Sequence, residues 1–335
     1  MNAAVRAARS HPTCSFVALA LLAFVPGTAP AQETRQYDLP DLEQEVREER
    51  SLKDLVSVRF KASNRFVGLA DFGEYKADSY QPEGRLKVTV PVARNAGIRL
   101  MGTGRALLYD FEDGADLGLL GGSEKPFDDL YGWNLRLQGA YLFDPDQTLF
   151  SPRERWSLLG ETFVRANWEK GRQMSEALRS GVTLAAGYRY GKDLELAAGV
   201  SVRGTLWKGQ VRVWPVLEFD WRINEQWKLS SQGLGLQLER RFGERITAFA
   251  RARWENSVYR LADRGAEIGK ANLRIRQVPA GLGLWWNVNR HVRVTTLGGV
   301  MALHELRVKS SGGRTLDTDS ARPSPYFLIR FDLRS

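Results

Sequence analysis

From about residue 54 onward the hydrophobic and polar positions alternate with a period of two. Between 85 and 92, Leu86, Val88, Val90 and Val92 alternate with Arg85, Lys87, Thr89 and Pro91. Between 194 and 203, Leu194, Leu196, Ala198, Val200 and Val202 alternate with Glu195, Ala197, Gly199, Ser201 and Arg203. The stretches 133–143, 211–222 and 326–333 repeat the pattern. Successive side chains of a strand point to opposite faces, so each segment predicts a strand with one apolar and one polar face.

A soluble sandwich shows the same alternation. Two features favour a membrane-crossing barrel instead. The segments run about 9–15 residues, long for a sandwich strand and suited to a tilted crossing of hydrocarbon. Aromatic residues also collect near segment ends. Trp156, Tyr188, Tyr190, Trp221, Trp286 and Phe331 stand at one set of ends, and Trp133, Trp168, Trp254 and Tyr259 at the other. Such rings form the two girdles of a transmembrane barrel. Tight turns at 94–97, 191–193, 223–226, 242–244 and 288–291 alternate with longer polar links at 63–84, 111–130, 169–180, 260–271 and 308–323. One longer link, 144–155, falls on the tight-turn side. If 227–241 breaks near Ser231–Gly233 into two short strands, the count is 14, and otherwise 12. The expected fold is therefore all-β: an up-and-down antiparallel barrel of 12–14 strands over 51–335. Pro91, Pro215 and Pro279 lie within strands, where each removes a ladder donor and suggests a bulge.

Composition agrees with this architecture. The 335 residues are 43% hydrophobic and 26% charged. Mean hydropathy is −0.35, and no apolar run is long enough for a membrane helix. Residues 1–31 read as a signal peptide: Arg6 and Arg9, an apolar run over 16–25, and Ala29-Pro30-Ala31 as the cleavage site. The mature chain is expected to begin at Gln32. The single cysteine, Cys14, would leave with the signal, so disulfide and thiolate chemistry are not expected. Residues 32–50 read as an acidic periplasmic leader, with seven acids against three arginines. That leaves the barrel strongly basic.

From about 130 onward the sequence resembles an uncharacterised family of bacterial outer-membrane β-barrel proteins. The resemblance rests on Val213–Trp221, the run from Trp254 to Leu261, Gly298–Ala302 with His304-Glu305-Leu306, and the ending Pro325–Phe331. It implies the barrel fold and the outer membrane, reached through the barrel-insertion machinery, with lipid and lipopolysaccharide as neighbours. It implies no catalytic residues and no cofactor. The terminal alternation is followed by Arg334-Ser335 rather than by a final aromatic residue.

The polar faces point to a lumen lined by Arg59, Lys61, Arg85, Lys87, Arg136, Arg165, Arg189, Arg203, Glu218, Asp220, Arg222 and Arg330. A cationic wall attracts anions, which suggests a pore or transporter for small polar solutes, anionic ones among them. The same charges can instead pair across strands and fill the interior of a closed structural or adhesive barrel. A third reading is a lipid-modifying enzyme. By the parity of Val300 and Ala302, His304 would face lipid and Glu305 the lumen. The acids of 110–129 lack calcium-loop spacing, no glycine run fits a phosphate loop, and basicity scattered on alternate positions does not suggest nucleic acid. No metal site is expected.

Overall fold

The computed structural model describes residues 56–335, except 74, 94–95, 113–125, 144–153, 192, 207–209, 232 and 264–269. The signal peptide, the acidic leader and three of the seven acids in 110–129 (Asp113, Asp116 and Glu124) lie outside the described residues. In chain order the strands are β1 (Ser57–Asp71), β2 (Lys76–Ala93), β3 (Ala96–Phe111), β4 (Leu130–Leu142), β5 (Glu154–Glu169), β6 (Leu178–Tyr190), β7 (Leu194–Gly204) and β8 (Val211–Arg222). They continue with β9 (Trp227–Ser231), β10 (Gly235–Phe242), β11 (Ile246–Arg253), β12 (Glu255–Arg260), β13 (Asn272–Asn287), β14 (Val292–Lys309), β15 (Thr315–Ala321) and β16 (Ser324–Arg334). A single 3₁₀ turn, Met174–Ala177, precedes β6.

Neighbouring strands pair antiparallel, and β16 closes on β1 from Arg59↔Arg334 to Val67↔Tyr326. The ring has fourteen positions, because β12 prolongs β11 along β13 and β15 precedes β16 along β14. Closure satisfies the backbone where no water is available, and a sheet with open edges would not. The outward positions carry the exposed hydrophobic residues. Leu217 is 75% exposed and Leu282 72%, a degree of apolar exposure that hydrocarbon accommodates and water does not.

The two ends differ as expected, with tight turns at one and longer links at the other. Two of the long links are shorter than their polarity suggests. The strands continue through 63–84 and leave only 72–75 between β1 and β2. Within 308–323, only 310–314 and 322–323 interrupt the strands. Polar residues such as Ser63 and Glu83 are cross-strand partners facing the interior, so polarity here marks the lumen face and not a loop. Pro91 and Pro279 do adjoin register shifts. The register of Pro215 with Val200 is continuous.

The wall is uneven on one side. β9 and β10 are short, and β8 pairs with β9 only through Asp220–Arg222. No strand among the described residues pairs with β8 on that side above this point. Pro215 lies in this stretch, where a missing N–H costs no ladder bond. β10 ends at Gly235 opposite Arg253. Beyond it β12 follows β13 and meets β5 at Arg260↔Trp168. At the long-link end, β12 therefore crosses the interior, and β6, β7 and β8 stand outside the smaller ring that it closes.

Candidate functional site

Three layers fill the interior. At the long-link end the inward residues are apolar: Phe72, Tyr75, Tyr109, Phe111, Phe127 and Leu130 pack with Tyr259, Leu261, Leu273, Ile275, Leu306 and Val308. Leu130, Leu261 and Leu273 are fully buried, so this layer forms a plug. Glu169 fastens it. Its carboxylate is buried and accepts the backbone N–H of Asp128 at 2.7 Å and of Ala262 at 2.6 Å, tying two links together.

Beneath the plug lies a cavity of about 110 Å³. Its lining includes Arg65, Arg85, Arg105, Arg136, Arg165, Arg253 and Arg330, against only two carboxylates, Glu83 and Glu255. The lining thus carries an excess of five positive charges. Glu255 accepts both Nη atoms of Arg65, at 2.8 and 2.9 Å, and Nε of Arg253 at 3.0 Å. This clamps β12 to β1. Arg85 reaches Glu83 at 3.2 Å. Arg105 donates to Ser257 Oγ at 3.0 Å and lies 5.7 Å from the centre of the Tyr259 ring. Gly132 makes room for it, since a Cβ there would stand 2.8 Å from Arg105 Nε and 2.7 Å from Asn167 Oδ1. Backbone carbonyls of β12 and its surroundings are used as well: Val258 O accepts from Asn167 and Arg179, and Leu206 O from Arg260.

The third layer, toward the tight turns, is laced by ion pairs and hydrogen bonds. Asp332 meets Arg59 at 3.5 Å, Lys61 at 4.0 Å and Arg334 at 3.4 Å. Lys228 meets Asp220 at 2.6 Å, and Arg189 pairs with Glu195. Higher up, Arg136 lies 3.8 Å from Glu161, which accepts from Gln138 at 2.9 Å. Fully buried Arg99 donates to Gln138 at 3.3 Å. Low dielectric strengthens each of these bonds.

Of the residues singled out in the sequence, Arg85, Arg136, Arg165 and Arg330 meet at the cavity. Arg59, Lys61, Arg189 and Asp220 belong to the ion-pair layer. Lys87, Arg203 and Glu218 are buried elsewhere on the inner face. Arg222, on the same strand face as Asp220, is exposed at the rim beside a tight turn. The sequence reading missed Arg65, Arg105, Arg253, Glu83 and Glu255. Carrying the parity of Arg99 forward reaches Arg105, and that of Arg251 reaches Arg253 and Glu255.

The aromatic residues Trp156, Tyr190, Trp221, Trp286 and Phe331 are exposed toward the tight-turn end, with Tyr188 against Trp156 at 4.8 Å. Trp133 lies toward the other end, one pair below the Gly132↔Asn167 position. Tyr259, expected in a girdle, is instead 1% exposed inside the plug, because β12 turns inward.

His304 is also corrected. Its ring is fully buried, with Nε2 2.8 Å from the Tyr109 hydroxyl and 3.2 Å from Gln277 Nε2. Between Met301 and His304 two residues of β14 face the single Val278 of β13, and this bulge reverses parity. Glu305 consequently lies on the opposite face, pairing with Arg276 and Arg307. The premise of a lipid-facing histidine fails. Among the described residues no acidic, histidine or cysteine group has the makings of a metal site, and no helix is long and apolar enough to cross a membrane.

A closed antiparallel barrel with an apolar outer band and a charged interior is a β-barrel of the outer-membrane type. Residues 153–333 match the family described as a domain of unknown function, DUF6268, and the chain belongs to that family. No curated protein matches the sequence. Among solved structures, an outer-membrane channel from Pseudomonas putida F1 is 7% identical, with a TM-score of 0.41 over 84% of this chain and 95% of that one. A FadL homologue from Pseudomonas aeruginosa is 9% identical, with a TM-score of 0.40 over 83% and 89%. The translocator domain of the autotransporter NalP from Neisseria meningitidis is 9% identical, with a TM-score of 0.32 over 88% and 92%. No cargo follows from likeness at this level.

Proposed function

We propose that the protein is an outer-membrane, gated channel for small anionic solutes. The tight-turn end faces the periplasm, as in barrels of this type. The arginine-lined chamber is the station where a solute rests, and the apolar plug is the gate above it. The observation that carries this reading is the seven arginines against two carboxylates that line one interior cavity. Guanidinium groups in a water-poor cavity attract anions and repel cations far more strongly than they would in bulk water. A purely structural interior would be expected to balance its charges, as Lys228 with Asp220 and Arg189 with Glu195 do toward the tight turns.

The test is reversal-potential measurement in planar bilayers under a KCl gradient. Two variants accompany the wild type: Arg85→Gln/Arg330→Gln in the chamber, and Phe111→Ala/Leu273→Ala in the plug. The expected result is anion selectivity that weakens in the chamber variant, and a larger conductance in the plug variant. Cation selectivity, or silence in both wild type and plug variant, overturns the reading.

A further inference from the structure

The outward face of β11 is made largely of alanine. Phe249 and Arg251 are buried on the inner face, so Ile246, Ala248, Ala250 and Ala252 look outward. Alanine is depleted in strands, and three in alternation on one face of an eight-residue strand call for a reason. The neighbouring strands do not share this smallness. Residues paired across a ladder lie on the same face. Ala250 therefore lies between Leu238 of β10 and Leu282 of β13, and Ala248 between Arg240 and Leu284. Large side chains on both flanks with methyl groups between them make a groove along β11. It belongs to a hollow of about 460 Å³ that continues past Leu282 to Gly298 and reaches Phe327. Ile246 closes the groove at the tight-turn end, between Phe242 and Trp286. From Ala248 to Ala252 its floor runs about 13 Å, at about 3.3 Å per residue. Half of a hydrocarbon layer about 30 Å thick is about 15 Å, so the groove suits one acyl chain within one leaflet.

Arg240 stands at the foot of this groove. It is exposed, and it faces outward with Leu238 and Phe242. Its guanidinium carbon lies 5.3 Å from the centre of the Trp227 ring and 4.8 Å from that of Phe242. Aromatic rings attract a cation and hold it in place, but they accept none of its N–H bonds in the plane of the guanidinium. Among the described residues no carboxylate or other acceptor engages this side chain. Its level matters too. Phe242, Ile246 and Trp286 are all exposed and lie one row nearer the tight turns. Arg240 thus stands on the hydrocarbon side of those rings, where a charge is unfavourable unless an anion meets it. A cation at the foot of an acyl-sized groove is complementary to a lipid with a phosphate at its head.

We infer that this face binds a glycerophospholipid of the leaflet at the tight-turn end, its phosphate on Arg240 and one acyl chain in the groove of β11. The guanidinium can give the phosphate two parallel charge-assisted hydrogen bonds, and the groove distinguishes a lipid from a free anion. The site is independent of whatever passes through the chamber.

The test is native mass spectrometry of the purified, delipidated full chain in detergent. The probes are phosphatidylglycerol, diacylglycerol with the same chains, and glycerol phosphate. Phosphatidylglycerol should be retained, and diacylglycerol much less. Retention should fall about tenfold or more in Arg240→Gln, the loss expected from charged hydrogen bonds. It should fall also in Ala250→Trp, which fills the groove and leaves every charge in place. Val200→Trp, an equal enlargement on the outward face of β7, should leave retention unchanged. Heat-modifiable mobility on unboiled gels reports whether each variant is folded. If Arg240→Gln does not fold, Ala250→Trp and the comparison with diacylglycerol still decide. Equal retention of the two lipids, retention unchanged in the folded groove and arginine variants, or an equal loss in Val200→Trp overturns the inference. Displacement of the lipid by glycerol phosphate with no effect of Ala250→Trp assigns Arg240 to a free anion and overturns it equally. A dimer that carries no lipid and dissociates in Ala250→Trp gives the groove to a second copy of the chain, with the same consequence.

Discussion

Glu255 is the point at which stability and selectivity of the barrel meet. It is held by two guanidinium groups, Arg65 from β1 and Arg253 from its own chain segment, in a pair whose side chains are 7% and 14% exposed. Breaking a buried ion pair costs about 3–5 kcal/mol when a charge is stranded. Glu255→Gln strands two guanidiniums but keeps one acceptor oxygen, so we expect about 3 kcal/mol, the lower end of that range. Arg65→Met should cost less. Glu255 then still holds Arg253, and the loss is that of charged hydrogen bonds, about 1.5 kcal/mol at the low end. The two substitutions of one ion pair should therefore differ, with the carboxylate the more expensive to lose. The assay is equilibrium unfolding in urea of lipid-folded protein, followed by tryptophan fluorescence and extrapolated linearly. Glu255→Gln should also raise the anion preference of any current, since the lining gains a positive charge. If Arg65→Met destabilises as much as Glu255→Gln, the argument that Glu255 serves two arginines is refuted.

Three further outcomes follow from the same geometry. Gly132→Val should push Arg105 out of its place and weaken anion selectivity in planar bilayers while the barrel still closes, because the clash is with a side chain and not with the wall. Glu169→Gln sets an amide N–H against a backbone N–H, a local cost of about 1–3 kcal/mol, and limited proteolysis of the long-link end should quicken. His304→Leu removes the partner of the Tyr109 hydroxyl and should lower the unfolding free energy by about 1–3 kcal/mol. It should leave the release of fatty acid from outer-membrane lipid, measured by mass spectrometry, at the background of a folded control.

Strand number and the facing of most side chains were legible because a strand has one repeat and two faces. Leu86 and Val88 declare the outside, and Arg85 and Lys87 the inside, with no knowledge of any partner. The break near Gln232 was legible too, since Ser231 and Gly233 interrupt an otherwise continuous alternation. The same rule misled at His304 and Tyr259. One extra residue on β14 reverses every facing beyond it, and nothing in Ala302-Leu303 distinguishes a bulged pair from a regular one. Nor does alternation register that β12 leaves the wall. Glu255–Arg260 reads as one more strand, and only the shortness of β9 and β10 beside it frees the chain to cross the interior.

Local pattern by itself thus determined a barrel with a greasy outside and a basic inside, because lipid and lumen impose their demands on each residue separately. The chamber and the plug were decided by tertiary structure alone. Each is built from strands far apart in the chain, as Arg65 and Glu255 are, 190 residues apart. Which charges meet across a closed ring depends on register and curvature, and these are properties of the assembled sheet.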